Sequence, residues 1–325
     1  MKKWIRVRKF KQLRGEQLRA VFLAGGLVFA AFARSAAAGE VVLEDSQLQV
    51  AFDSDSGALI HLESKSPHWV LERRPELGAS FRLFAPLPHR RYNPVFGPKQ
   101  HATEVKKVSD HEVDLQWKDL ISENGGVLPM TLAAKVTLTH GVLTFSATLD
   151  NDSSLPVETI DYPYFGDFNP PTPDLSMAVR MPANGKIESL QTNADELYPH
   201  FRNEKGYWGV SYPTKMLEAQ PGFFCLIQSP GEGLYCEVNP PAATPYRLQY
   251  TFEQHPGLLS GATSVVPATD EISGLPVHLE FRFCHFIFAP AHSTTTLAPI
   301  VLACYPGDWQ AGAALYQERH PVTSR

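Results

Sequence analysis

The chain has 325 residues, of which 43% are hydrophobic, 19% are charged, 27 are proline and 22 are glycine. This composition is that of a globular protein, and it excludes a coiled coil, a collagen-like chain and a disordered acidic tail. The formal net charge is −5, and no basic patch with interleaved aromatic residues occurs, so we expect no nucleic-acid partner.

Residues 1–38 differ in composition from the rest of the chain. Eight lysines and arginines between Lys2 and Arg19 precede an apolar stretch from Ala20 to Ala33, and three alanines follow at 36–38. This order predicts a cleavable signal peptide and therefore a secreted or periplasmic protein. The apolar stretch has 14 residues, whereas a helix that spans a bilayer needs about 20, so we expect no membrane span after cleavage. An uncleaved anchor is the alternative. Without residues 1–38, which carry a net charge of +8, the formal charge falls from −5 to −13.

From Val41 onward, apolar and polar residues alternate in short runs that end at turn residues, which predicts antiparallel strands. At least twelve such runs occur, at 47–53, 58–63, 80–85, 103–108, 112–117, 131–139, 142–149, 222–228, 234–238, 246–252, 277–288 and 295–303. The first two runs flank a turn that ends at Gly57, so we expect them to form a hairpin.

Helical spacing is clear in one segment, where Asp308 is a candidate N-cap and apolar residues recur from Trp309 to Tyr316. A second, short candidate helix covers Ala194 to Tyr198. So little helix excludes a parallel βαβ sheet. The chain is therefore predicted to be all-β, with a large antiparallel β-sandwich over residues 41–305 and a short C-terminal helix and tail over 306–325.

The four cysteines are Cys225, Cys236, Cys284 and Cys304. Cys225 and Cys236 flank a turn at residues 229–232, and a symmetric hairpin would place them directly opposite each other, which makes them a candidate disulfide in an oxidising compartment. Four buried thiols are the alternative. The cysteines and histidines lack zinc-site spacing, so we expect no metal and no other cofactor.

Long proline-rich connections at residues 86–100, 166–174 and 239–245 interrupt the strands, and loops of this length are commonly functional. Aromatic, amide, guanidinium and carboxyl side chains lie in or near them. Aromatic faces beside such polar groups suit a neutral oligo- or polysaccharide, because the rings stack on a sugar and the polar groups bond its hydroxyls. The candidate carbohydrate-binding residues are Arg91, Tyr92, Asn93, Gln100, Tyr164, Asp167, Tyr207 and Trp208. The alternatives are that Trp208 belongs to the core and that Arg91 is a solvated loop charge.

Three patterns resemble galactose-mutarotase-like supersandwich domains, of the kind that precede the catalytic barrel in predicted glycoside hydrolases. They are Leu48 to Asp53 with Gly57 to Leu62, Gly78 to Pro86 running into Tyr92, Asn93 and Gln100, and Tyr305 to Tyr316. The resemblance implies a sandwich with a carbohydrate-facing surface. It also implies that residues 306–325 begin a following domain, which is missing, and that a separate chain could supply a catalytic barrel.

Catalysis is not assigned to any residue. Mutarotation needs a Glu base and a His acid in one cleft. His278 and His285 are seven residues apart on one predicted strand, which puts them on opposite faces, and Glu237 is a candidate base that is more simply an exposed strand-end glutamate. Glycoside hydrolysis needs two carboxylates, for which the candidates are Asp161, Asp167, Asp174, Asp195 and Glu196. We therefore expect an exported carbohydrate-binding module. A sugar epimerase and a structural or protein-interaction sandwich are the alternatives.

Overall fold

The computed structural model describes residues 39–169, 171, 178–183, 186–189, 214–219, 223–239, 246–255 and 278–321. In these ranges the chain forms three antiparallel sheets and one α-helix. The predicted signal peptide and the candidate helix at 194–198 lie outside the described residues. Within them, no helix has both the length and the apolar character that crossing a bilayer requires.

Strands are numbered in chain order. The first sheet has the order β1-β2-β3-β4, with β1 Glu40–Glu44, β2 Leu48–Asp53, β3 Leu59–Lys65 and β4 His68–Glu72. The second sheet has six strands in the order β14-β17-β18-β11-β5-β6. They are β5 Arg82–Phe84, β6 Pro94–Phe96, β11 Thr159–Phe165, β14 Thr214–Ala219, β17 Tyr246–His255 and β18 His278–His285.

The third and largest sheet has ten strands, and nine of them follow the order β13-β12-β15-β16-β20-β10-β9-β8-β7, while β19 pairs with β10. They are β7 Glu104–Ser109, β8 Glu112–Ser122, β9 Gly126–Thr139, β10 Val142–Asn151, β12 Ala178–Ala183, β13 Lys186–Ser189, β15 Phe223–Ser229, β16 Glu232–Val238, β19 Ser293–Thr296 and β20 Ile300–Pro306. Short 3₁₀ turns at Pro75–Leu77 and Gly97–Lys99 complete the regular structure outside the helix. The prediction of an all-β antiparallel sandwich is confirmed.

One hydrophobic core joins the three sheets, since its buried residues come from all of them. Aromatic rings bridge the layers, as where Phe145 of β10 packs edge-on against Tyr162 and Phe165 of β11 at centroid distances of 5.9 and 6.3 Å. Backbone bridges from Leu59 to Ala79 and from Glu72 to Phe168 connect the first sheet to residues just outside the second. The two smaller sheets therefore cover the large one as a single second layer.

The predicted β15–β16 hairpin is present, and Cys225 lies directly opposite Cys236. Its loop is shorter than expected, because Ser229 and Glu232 are already paired and only Pro230 and Gly231 make the turn. Gly231 has a φ of +86°, and proline followed by a glycine with positive φ is typical of a type II turn. Both cysteines are buried and hold free thiols in this structure.

The C-terminal helix, α1, spans Trp309–Arg319, and the Asp308 side chain caps it by accepting from the backbone N–H of Gln310 at 3.0 Å. The helix packs on the outer face of β15, β16 and β20, where the ring of Tyr316 stacks on Phe224 at 4.6 Å. The helix was expected from its spacing, and its partner is the large sheet of the same sandwich.

Candidate functional site

The outer face of the six-stranded sheet carries a row of polar side chains on its strand β18. Along this strand, buried apolar side chains of the core alternate with His278, Glu280, Arg282 and Cys284. The alternation follows from the two-residue repeat of a strand, which sends successive side chains to opposite faces. Four chemically active side chains therefore line one face of a central strand.

Strand β11 lies between β5 and β18, and its register places Asp161 opposite Arg82 on one side and Cys284 on the other. The Asp161 carboxylate, 1% exposed, binds the Nε of Arg82 at 2.7 Å and lies 3.2 Å from the Nε of Arg282. Burial alone would lower the pKa of Arg82, but the negative charge of Asp161 outweighs it and raises the pKa above its usual value. Asp161 therefore holds two guanidinium groups together in a largely desolvated place.

A register shift in β11 between Asp161 and Tyr164 brings a tyrosine to the same group. The Tyr164 hydroxyl donates to Oε2 of Glu280 at 2.5 Å, and Nη1 of Arg282 donates to the same oxygen at 2.9 Å. Burial, followed by the charge of Glu280, raises the pKa of Tyr164 well above its usual value, so the phenol is neutral. We call Arg82, Asp161, Tyr164, Glu280 and Arg282 the arginine–carboxylate cluster.

The two histidines of β18 have different surroundings. His278 is on the cluster face, with its Nε2 3.8 Å from Oε1 of Glu280. His285 is fully buried and donates from Nε2 to the carbonyl of Tyr162 at 2.7 Å, and burial lowers its pKa to about 4. The two side chains lie on opposite faces as predicted, so His285 is a neutral core histidine and His278 is the one on the same face as the cluster.

Cys284 lies on the same face, beside Asp161. Burial and then the Asp161 carboxylate raise the pKa of its thiol far above the usual value. A thiol held in its protonated form is a poor nucleophile and a poor metal ligand. Moreover, within the described ranges no three His, Cys, Asp or Glu side chains are grouped so that they could hold a metal ion.

In the cluster, the positive charges of the arginines are balanced by the negative charges of the carboxylates. Two guanidinium groups face two carboxylates, and the phenol between them is neutral, so the five side chains carry no net charge when both acids are ionised. Arg82 and Glu280 keep 18% and 14% of their side-chain surfaces exposed. They can offer N–H donors and carboxylate acceptors to a ligand whose own groups both donate and accept.

An aromatic row continues from this cluster to the edge of the sheet. The guanidinium of Arg82 lies 5.3 Å from the ring centre of Phe84, and the ring of Phe84 lies 5.7 Å from that of Tyr92. Tyr92 is 60% exposed, and its neighbour Arg91 forms an exposed ion pair with Glu158. The predicted residues Tyr164 and Tyr92 are thus linked through Arg82 and Phe84, neither of which was singled out from the sequence.

The two predicted amides occupy different places. The buried Asn93 donates to the carbonyl of Ala85 and accepts from the backbone N–H of Asn124, at 2.9 Å each. Gln100, also buried, donates to the carbonyls of Phe96 and Ile121 and accepts from the N–H of Ile121. Because both amides bind backbone groups at both ends, they hold the loop at residues 86–100 in place and do not join the cluster.

Asp167 also has a structural role, as one half of a buried ion pair. It is fully buried and binds Arg74 through Nε at 2.9 Å and Nη2 at 2.6 Å. The neighbouring Glu72 accepts from the backbone N–H groups of Gly166 and Asp167, and its other carboxylate oxygen has no hydrogen-bond partner. Burial and then the charge of Asp167 raise the pKa of Glu72 well above its usual value. Glu72 is therefore an acid that folding keeps protonated over an extended pH range.

Several other predicted residues can now be placed. Tyr207 and Trp208, like Asp174, Asp195 and Glu196, lie outside the described residues. Glu237 was expected to be an exposed glutamate at a strand end, and this is wrong. It lies within β16 with its side chain fully buried, where it accepts from Arg319 and His320 at 2.7 Å each and from Tyr235 at 2.9 Å. It therefore fastens α1 to the large sheet.

The chain matches no family model and no curated protein. Solved structures similar to it include a galactose mutarotase related enzyme from Lactobacillus acidophilus, with 11% identity over 82% of this chain and 97% of that chain and a TM-score of 0.47. A galactose mutarotase-like protein from Lactobacillus casei has 16% identity over 83% of this chain and 100% of that chain, with a TM-score of 0.42. An alpha-galactosidase from Lactobacillus brevis has 8% identity over 87% of this chain and 42% of its own, with a TM-score of 0.49. The resemblance noted in the sequence thus recurs among solved structures, and at these scores no residue role is transferred from them.

Proposed function

We propose that this protein binds a neutral carbohydrate on the outer face of the six-stranded sheet, over the arginine–carboxylate cluster and the aromatic row beside it. The observation that carries the proposal is the continuity of the two features, since Arg82 contacts both Asp161 and the ring of Phe84. A sugar presents hydroxyls along its edges and C–H groups on its faces. It therefore needs paired donors and acceptors next to an aromatic surface.

The charge balance of the cluster favours a neutral ligand. Asp161 contacts both Arg82 and Arg282, Glu280 contacts Arg282, and the two carboxylates together balance the two guanidinium charges. An anionic ligand would have to compete with these internal carboxylates for guanidinium groups whose partners are at 2.7–3.2 Å. A neutral hydroxyl both donates and accepts, so it does not have to replace a carboxylate in these ion pairs.

The test is a glycan array followed by calorimetric titration of the best neutral sugar. Tyr164→Phe removes the hydroxyl that binds Glu280 and keeps the ring, and Arg82→Gln keeps a donor without the charge. Each is expected to weaken binding at least tenfold, which corresponds to about 1.4 kcal/mol. Arg90→Gln is the matched control, because Arg90 is an exposed arginine on the nearby loop. An absence of any sugar ligand across the array, or equal affinities for all variants, would contradict the proposal.

A sugar 1-epimerase is the second candidate, and one observation favours it. His278 and Glu280 lie on one face with 3.8 Å between Nε2 and Oε1, which supplies an acid and a base in the same place. The assay is the rate of anomer exchange of freshly dissolved α-D-glucose or α-D-galactose, followed by polarimetry. Acceleration that Glu280→Gln abolishes would support an enzyme. A rate equal to that in buffer would contradict the epimerase and leave carbohydrate binding as the proposed function.

Export is a further part of the proposal and depends on residues 1–38. A basic start, an apolar stretch of 14 residues and a run of alanines support cleavage near residue 38. N-terminal sequencing of the protein recovered from outside the cytoplasm should begin close to Gly39. Recovery of the intact N-terminus in a membrane fraction would point to an uncleaved anchor.

A further inference from the structure

Glu158, the residue before β11, contacts three other segments of the chain. Its carboxylate contacts Arg91 at 3.3 Å, and its backbone N–H donates to the carbonyl of Phe84 at 2.9 Å. Its carbonyl accepts from the backbone N–H of Phe288 at 3.1 Å. Tyr92 follows Arg91 and packs on Phe84. Phe288 is therefore joined to the backbone of Phe84 through Glu158, although almost two hundred positions separate it from Tyr92 in the chain, and its ring lies 6.4 Å from that of Phe286.

Phe288 has an unusual conformation for its residue type. It is 58% exposed and has a φ of +45°, a region that bulky side chains rarely adopt. Hydrogen bonds hold the backbone there, because the next residue, Ala289, exchanges both N–H···O bonds with Val157. Folding gains little from a ring in water, and a glycine would fit this φ better. Strain that the surroundings maintain is commonly found at functional positions.

We infer that Tyr92 and Phe288 form an outer subsite that stacks a second or third sugar unit, so that the ligand is an oligosaccharide rather than a single sugar. This inference rests on the proposed carbohydrate function. Its support is the spacing along the row, where steps of 5.3 and 5.7 Å lead from Arg82 to Phe84 and then to Tyr92. Each step is comparable to the length of one pyranose ring. A chain that starts over Arg82 would therefore reach the exposed ring of Tyr92, and Phe288 is connected to this row through Glu158.

The exposed groups at this edge match a sugar chain. Tyr92 and Phe288 offer ring faces, and Arg91, with 83% of its side chain exposed, offers donors beside them. Stacking on rings with a few polar contacts at the side is how a neutral sugar is held. A protein partner would instead call for a wider apolar surface, to which the aliphatic side chains of Ile121 and Val127 on the β8–β9 hairpin would also belong.

The experiment uses the full chain and a glycan array that carries each neutral sugar as monosaccharide, disaccharide and trisaccharide. Affinity is expected to rise from the monosaccharide to the trisaccharide of the recognised series. Tyr92→Ala and Phe288→Ala should each weaken trisaccharide binding about three- to tenfold, from the usual strength of one aromatic contact, and should leave monosaccharide binding unchanged. Val127→Ala is the matched control, because Val127 is 61% exposed and does not belong to the row.

A second variant, Phe288→Gly, separates binding from folding. Glycine tolerates the φ of +45°, so the melting temperature should stay the same or rise while trisaccharide affinity falls as it does for Phe288→Ala. A fall in melting temperature with unchanged affinity would show a structural role and overturn the inference.

The other outcomes are also distinct. Equal affinity for monosaccharide and trisaccharide would overturn the outer subsite and leave the proposed sugar function standing. An array with no bound sugar would overturn both. A loss of trisaccharide binding in Val127→Ala equal to that in Phe288→Ala would assign the edge to a broader apolar surface, against the inference.

Discussion

Replacing Asp161 with asparagine should expose how much the arginine–carboxylate cluster depends on one buried charge. The Asp161 side chain is 1% exposed and touches Arg82 at 2.7 Å and Arg282 at 3.2 Å. Asparagine keeps the volume and one acceptor oxygen but removes the negative charge that Arg82 and Arg282 share, which leaves Glu280 as the one carboxylate of the cluster. Removing one partner of a buried pair costs about 3–5 kcal/mol. That loss is a large part of the 5–15 kcal/mol by which a typical domain is stable.

The chain offers a matched control in Glu158→Gln. Its partner Arg91 is 83% exposed, and exposed pairs contribute about 0–1 kcal/mol. Urea denaturation at pH 7, followed by tryptophan fluorescence, should therefore show a much lower midpoint for Asp161→Asn than for Glu158→Gln. If both variants lost less than about 1 kcal/mol, the cluster would not be the desolvated network described above.

Three further predictions concern the rest of the sandwich. Because burial raises the pKa of Glu72, the folded state holds an extra proton, and the free energy of unfolding should fall as pH rises above about 4.3 by up to about 1.4 kcal/mol per pH unit until the folded pKa is reached. Glu72→Gln should lack this slope in urea titrations at pH 5, 6 and 7, and parallel curves would contradict it. Burial alone would raise the pKa of Glu237, but the hydrogen bonds from Arg319 and His320 outweigh burial and bring the pKa below its usual value. The stabilisation by Glu237 should therefore be present at neutral pH and lost in acid. Glu237→Gln should weaken the attachment of α1 by roughly 1.5–3 kcal/mol, seen as faster amide exchange over residues 309–319, and unchanged exchange would refute the contact. Cys225 and Cys236 hold free thiols in this structure, but opposite residues of an antiparallel pair have Cα atoms about 4.5–5.5 Å apart, within disulfide range. If the proposed export is right, oxidation outside the cytoplasm should join them, which non-reducing peptide mapping would detect, whereas alkylation of both thiols would exclude the bond.

The strands were predictable because their side chains obey a two-residue repeat. Runs such as 142–149 alternate apolar and polar residues, and the structure places Leu143, Phe145, Ala147 and Leu149 in the core. The same rule separates His278 from His285 on β18. What the repeat leaves open is the pairing of distant strands. Nothing local in the sequence indicates that β11 lies between β5 and β18, although this order assembles the cluster.

The site was only partly predictable. The sequence points to Tyr164 and Tyr92 through their aromatic faces, whereas it does not distinguish Arg82 and Arg282, which lie inside strands that otherwise supply the core. The signal for Arg282 is the position of ionisable residues at every second place of β18. Asp161 and Tyr164 share one face because the register of β11 shifts between them, and residues three apart would otherwise face opposite ways. A bulge of this kind depends on the neighbouring strands and is not visible in the alternation pattern.

Asn93 and Gln100 show the complementary difficulty. An amide in a loop of the sequence can face a ligand or the backbone, and composition does not distinguish the two. In the structure each satisfies backbone groups of neighbouring turns and strands, which is the usual fate of a buried amide. The sequence therefore shows that a loop residue is polar, but it does not show whether its side chain is exposed to a ligand.

A crystal structure of the protein with the best oligosaccharide from the array would test the location of the site most directly. We expect the sugar on the outer face of the six-stranded sheet, with hydroxyls within hydrogen-bond distance of Arg82 or Glu280 and a later unit stacked on Tyr92 or Phe288. A sugar bound elsewhere, such as in the shallow groove of the large sheet between Ala133 and Thr148, would contradict the role given to the arginine–carboxylate cluster.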